Sequence, residues 1–188
     1  MTFNEIRRLQ ESLTGSTLPG LMRSLSMLLN WVRLISRPAH RTRVKQSRRL
    51  LRRVRGFGGP QRAAHVLSYL RKIDPYVLEE LVLSALEDRG CLVLRNRRYS
   101  GDGGVDGHVR ISGSWWPIQV KRYGAYIDHQ HVSEFVQIVS SAEYGGGLFV
   151  HTGLSGSAVY RHLRGSSVYL ISGDRLVEMI CAHATHWP

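Results

Sequence analysis

GDGGVDG, residues 101–107, sets four glycines around two aspartates and one valine, and eight residues later the chain reads WWPIQVKRY, residues 115–123. The second stretch reads as a strand ending on a lysine, with Pro117 suggesting an edge strand or a bulge. The first reads as a turn. Val105 and His108–Ile111 continue from it as a strand, and SGS, residues 112–114, makes a tight turn into the next one. If the two strands are antiparallel neighbours, Asp106 at the start of one lies beside Gln119–Lys121 at the end of the other. Gln119 and Lys121, two residues apart, then share a face. The glycines leave room for a phosphate backbone to approach Asp106. Acidic oxygens that hold a hard divalent cation, beside an amine that positions water or stabilises charge, are what phosphodiester hydrolysis requires.

The surrounding chain supplies the elements that would frame such a hairpin. Asp74-Pro75 is a helix start, with Asp as N-cap and Pro in the first turn, and Gly90 is its stop. CLVLRNRRY, residues 91–99, reads as a strand that turns polar. Val132, Phe135, Val136 and Val139 have helical spacing. GGGLFVHT reads as a short apolar strand, SGSAVYRHLR as a helix, SSVYLIS as a strand and GDRLVEMICAHA as a final helix. From residue 74 the order is α-β-β-β-α-β-α-β-α, a meander followed by crossovers and hence a mixed α/β domain.

Residues 1–73 differ in character. They hold sixteen Lys and Arg against Glu5 and Glu11, whereas the rest of the chain holds ten bases against twelve acids. The whole formal charge of +12 therefore resides upstream. Leu21, Leu25, Leu28, Val32 and Ile35 share a helical face within residues 19–36. RPAHRTRVKQSRRLLRRVR, residues 37–55, contains no acid, and GFGGP, residues 56–60, reads as a hinge before a helix from Gln61 to Ile73. This organisation is that of a basic, helical or partly disordered arm over 1–59 and a folded unit over 60–188. So dense a basic run points to a polyanion, with phosphate contacts from Arg48, Arg49, Arg52, Arg53 and Arg55. It holds no aromatic residue for stacking on bases.

Other classes fit less well. Arg23 and Arg33 interrupt the most apolar early stretch, which is too short to span a bilayer. No basic-then-apolar signal pattern opens the chain, so a soluble cytoplasmic protein is expected, with membrane contact secondary. Cys91 and Cys181 lie in apolar runs and read as buried thiols in a reducing compartment. The nine histidines lack zinc-type spacing, and GDGGVDG is neither GxGxxG nor a P-loop. No small-molecule cofactor is indicated. Trp115 and Trp116 point to opposite sheet faces, one of them to the core, and His151 ends a strand at the expected site edge.

LEELV (78–82), SGDGGVDG (100–107), QVKRY (119–123), GGLFVHTGLSGSA (146–158) and YLISGDRLVEMI (169–180) occur in the order seen in the Mrr-type restriction endonuclease domain. Over roughly residues 70 to 182 the chain resembles that family, which belongs to the PD-(D/E)xK nuclease fold. The resemblance implies a restriction-endonuclease-like mixed sheet flanked by helices, a DNA substrate, and Mg²⁺ or Mn²⁺ as cofactor. It implies a catalytic Asp at Asp106, a Q-x-K motif at Gln119 and Lys121, and a helix glutamate at Glu79. Glu80 should face about 100° away around the helix. A neutral amide is a weaker ligand than a carboxylate, so Asp106, Glu79 and the carbonyl of Val120 are expected to carry the metal, and Arg122 to touch phosphate or sugar. A homodimer would suit a double-strand cutter, though no sequence feature fixes it. The expected activity is metal-dependent DNA endonuclease. The alternatives are a non-catalytic DNA-binding accessory protein on the same fold and a membrane-surface protein anchored by residues 19–55.

Overall fold

The computed structural model describes residues 38–96 and 104–181. The helix expected over 19–36, Asp102, and the C-terminal His183 and His186 lie outside them. The described chain forms α1 (Pro38–Arg55), α2 (Arg62–Leu70), α3 (Pro75–Asp88), β1 (Leu92–Arg95), β2 (Gly107–Ile111) and β3 (Ser114–Lys121). It continues as α4 (His129–Ser140), β4 (Gly147–His151), α5 (Ser157–Leu163), β5 (Val168–Ile171) and α6 (Gly173–Cys181). From α3 onward this is the expected order.

Local signals explain the boundaries. The Asp74 carboxylate accepts the Val77 N–H at 3.1 Å, with Pro75 in the first turn of α3. Gly90 ends that helix at φ +79°. Ser112 and Gly113, at φ +50° and +81°, make the two-residue β2–β3 turn, whose positive φ values match the twist of the strands.

The sheet runs β1-β2-β3-β4-β5, antiparallel from β1 to β3 and parallel from β3 to β5. Pro117 therefore lies in the middle strand rather than on an edge or a bulge. It is accommodated because pairing with β4 starts one residue later, at Ile118↔Leu148. Alternation divides β3 and β4 between two cores. Ile118, Val120, Leu148 and Val150 face one cluster with Leu78, Leu81, Val82 and Met179. Phe149 faces the other, with Val132, Phe135 and Val139 of α4 and Val159 of α5. All five residues of β4 are buried, as a parallel strand covered on both faces should be. Trp116 is the core tryptophan and stacks on Tyr169 at 5.3 Å.

The helical part of the basic run joins the first core. Leu51 and Val54 are fully buried, and α1 packs on α3 and α6. Neither cysteine forms a disulfide; Cys181 is buried, but Cys91, at the mouth of β1, is only half-buried. No helix among the described residues is long and apolar enough to cross a membrane.

Candidate active site

Asp106 sits at the junction of the glycine-rich turn and β2, and two hydrogen bonds fix it to β3. Its N–H donates to the Ile118 carbonyl at 2.8 Å. Its Oδ2 accepts the Val120 N–H at 2.6 Å. Backbone groups of one residue point the same way along a strand, so the Val120 carbonyl also faces the Asp106 side, beyond the last β2 partner at Ile118. The hairpin thus brings Asp106 beside the end of β3, as its sequence implies.

Gln119 is buried at 4% exposure, and its Oε1 has no hydrogen-bond partner. Its Nε2 lies 2.8 Å from where a Cβ on Gly104 would stand, and Gly104 has φ +84°. Both the backbone conformation and the close approach thus require glycine at this position. Lys121 follows two residues later on the same face, half-buried at the strand end.

Glu79 enters from α3 and is buried. Its carboxyl is pushed up to about 9, first by burial and then by the negative charges of Asp106 and Glu80; Lys121 pulls the other way, and Asp74 adds slightly to the rise. Glu79, Asp106 and Lys121 are therefore within electrostatic reach of one another. Glu80, one residue on, turns away to Arg95 Nε at 2.8 Å and His40 Nδ1 at 3.3 Å.

Among the described residues no three His, Cys, Asp or Glu side chains form a ready metal cluster. The oxygen set here is of another kind: two carboxylates, one buried amide oxygen and one backbone carbonyl. Hard divalent cations favour such oxygens. Two features fit a cation: the amide oxygen has no donor, and one acid is held protonated partly by the charge of the other.

His151 is in register with Lys121 on the neighbouring strand. It is fully buried, with Nε2 3.1 Å from Ser155 Oγ and no partner for Nδ1. Burial pushes its imidazole down to about 4, so it is neutral near pH 7. The sequence offers it only as an edge residue; the parallel pairing that puts it beside Lys121 has no local signal.

The arginines of α1 divide into two sets. Arg48 pairs with Glu87 at 2.7 Å and with Asp88, and Arg55 pairs with Asp88 at 2.7 Å and donates to the Ile180 carbonyl at 3.0 Å. These two are engaged within the fold. Arg49, Arg52 and Arg53 are exposed, Arg53 lying over the Tyr69 ring at 5.3 Å. Arg122 is exposed and donates to the Arg71 carbonyl at 3.0 Å.

A five-stranded mixed sheet flanked by helices is the restriction-endonuclease-like architecture. The chain belongs to the Mrr_cat restriction endonuclease family, whose model matches residues 70–180. Among solved structures it is similar to one described as MspJI restriction endonuclease in complex with a 27-mer oligonucleotide. That likeness has a TM-score of 0.51 at 20% identity, covers 66% of this chain and spans only 32% of the other, and speaks to the fold. No curated protein matches the chain.

Proposed function

We propose that this protein is a Mg²⁺-dependent DNA endonuclease of the Mrr type, with Mn²⁺ able to substitute. The observation that supports this most is the convergence of Glu79, Asp106, Gln119 and Lys121 at one end of the β2–β3 hairpin, with an acid held near pKa 9 and an amide oxygen left without a donor. Asp106, Glu79, the Val120 carbonyl and, more weakly, the Gln119 amide would hold the cation. When bound, it would supply Lewis-acid polarisation and lower the pKa of water. Lys121 orients the attacking water and stabilises charge on the phosphate. The hydrogen bond from Val120 N–H holds the Asp106 carboxylate against the end of β3. Gln119 orients, locked by its burial against Gly104.

The engaged arginines refine the DNA-binding reading. Arg49, Arg52, Arg53 and Arg122 are the side chains we assign to phosphate, while Arg48 and Arg55 serve the fold. The burial of Leu51 and Val54 supports a functional unit that begins with α1 rather than at residue 60. The undisulfided cysteines suit a reducing cytoplasm.

Plasmid nicking with Mg²⁺ tests the reading, on methylated and unmethylated DNA, with EDTA and Asp106→Ala as controls. Cutting abolished by both controls is expected. Tight DNA binding without cutting on either substrate would transfer the protein to the accessory role.

A further inference from the structure

The exposed large apolar side chains among the described residues are Tyr126 at 68%, Tyr160 at 57% and Leu154 at 51%. Scattered singly, they would need no explanation. Two of them lie side by side instead, with Tyr160 about one helical turn beyond. Beyond the ends of β3 and β4 the two chain segments stay side by side, with Tyr126 bridging Leu154. The bridge is held by Ile127 N–H to the Leu154 carbonyl at 3.0 Å and Leu154 N–H to the Ala125 carbonyl at 2.9 Å. The Tyr126 ring lies over Gly156, where an added Cβ would meet its Cδ1 at 3.9 Å. Gly156 is the N-cap of α5, and Tyr160 stands four residues on, along the same side of that helix.

The patch has a charge and a location. Segments 122–129 and 152–164 carry the exposed Arg122, Arg161 and Arg164 against Asp128 alone. Asp128 is occupied as the N-cap of α4, accepting the Gln130 N–H at 2.9 Å. Tyr126 follows Lys121 by five residues, so their backbones are no more than about 18 Å apart. That is about five nucleotide steps along a strand. The three side chains expose on the order of 400 Å². A stable dimer needs about 800 Å² from each partner. The patch is too small for a second copy of this chain by itself, yet it is aromatic, basic and within reach of a strand held at Lys121.

We propose that Tyr126, Tyr160 and Leu154 form a stacking platform for one or two unpaired bases of a DNA strand leaving the site, with Arg161 and Arg164 on its phosphates. This deepens the nuclease reading and rests on it for the location of the strand, but not for the readout, because stacking is measured as binding.

The experiment compares the full chain with the Tyr126→Ala/Tyr160→Ala and Tyr126→Phe/Tyr160→Phe variants in EDTA at fixed salt. Each is titrated into a fluorescent single-stranded oligonucleotide and into a blunt duplex of the same length. The alanine pair should lose about tenfold or more in single-strand affinity, as loss of base–aromatic stacking does. Its duplex affinity should move less than about twofold, since phosphate contacts are unchanged, and the phenylalanine pair should bind single strands like the parent. Equal losses on both substrates, or no loss, would overturn the platform. So would unchanged single-strand affinity together with reduced self-association in sedimentation, which would assign the patch to a second copy. Failure of the parent protein to cut plasmid would sink the nuclease reading and leave the binding result standing.

Discussion

Glu79 and Glu80 are consecutive on one helix, both buried, yet they belong to opposite electrostatic regimes. Glu80 enters a network that closes on itself. Arg95, at 4% exposure, reaches Glu80 at 2.8 Å, Ser84 Oγ at 3.1 Å and both oxygens of Glu87, and Arg48 and Arg55 complete the neutralisation of Glu87 and Asp88. Burial works against the Arg95 charge, but the hydrogen bonds and charges of Glu87 and Glu80 outweigh it, so its guanidinium is held above its ordinary range. Glu79 faces another acid, Asp106, and among the described residues Lys121 is the counterweight. One helix thus carries a saturated region that ties α1 to β1 and an under-neutralised region at the end of the hairpin. The first holds the fold together; the second is left short of positive charge, which is what a divalent cation would supply.

The contrast can be broken at its saturated end first. Arg95→Met should cost about 3–5 kcal/mol, because it leaves buried carboxylates without their partner. Urea unfolding would show this as a lower midpoint at unchanged slope, and a loss below about 1 kcal/mol would mean that the network is not the tie described here. At the other end, Lys121→Ala should leave stability and DNA affinity nearly unchanged while cutting falls about 100- to 1000-fold, the scale of losing one charge-stabilising donor. A parallel loss of binding would make Lys121 an anchor rather than a participant in the chemistry.

Glu79→Gln sharpens the difference by its pH signature. In EDTA the unfolded carboxyl ionises near its model value of 4.5, whereas the folded one keeps its proton to about 9. The folded state then binds more protons across that window. Its contribution to stability is complete below about 4.5 and is lost as pH rises toward 9. The glutamine variant lacks this slope, so its melting temperature should rise relative to the parent between pH 5 and 9. Parallel melting curves for the two proteins would show that Glu79 is not held protonated.

Sequence made the hairpin and its chemistry legible because both are local. The two-residue turn, the alternation in β3 and the glycine-rich entry to Asp106 are contained within residues 101–121. The role of α1 was not legible. Its apolar stripe, Val44, Leu51 and Val54 with the buried Ser47 between, is obscured by eight Lys and Arg residues, and the acids that neutralise Arg48 and Arg55 lie 33 to 40 residues away. Nor does a proline at residue 117 announce the register of a strand that arrives thirty residues later. The place of His151 is hidden from the sequence for the same reason, since only the parallel pairing sets it against Lys121.

The tie between the first and last helices has a kinetic consequence. Arg55 grips the Ile180 carbonyl across 125 residues of sequence, and Leu51 and Val54 share a core with Leu176, Met179 and Ile180. Contacts of such separation form late, because chain closure costs entropy before they can reward it. On the ribosome, α1 can meet α3 early, but its contacts with α6 must wait for that helix to emerge. The hairpin that carries Asp106 and Lys121 is therefore synthesised before the scaffold behind α3 can close. Until synthesis reaches α6, the nascent chain holds its reactive groups on an unfinished frame.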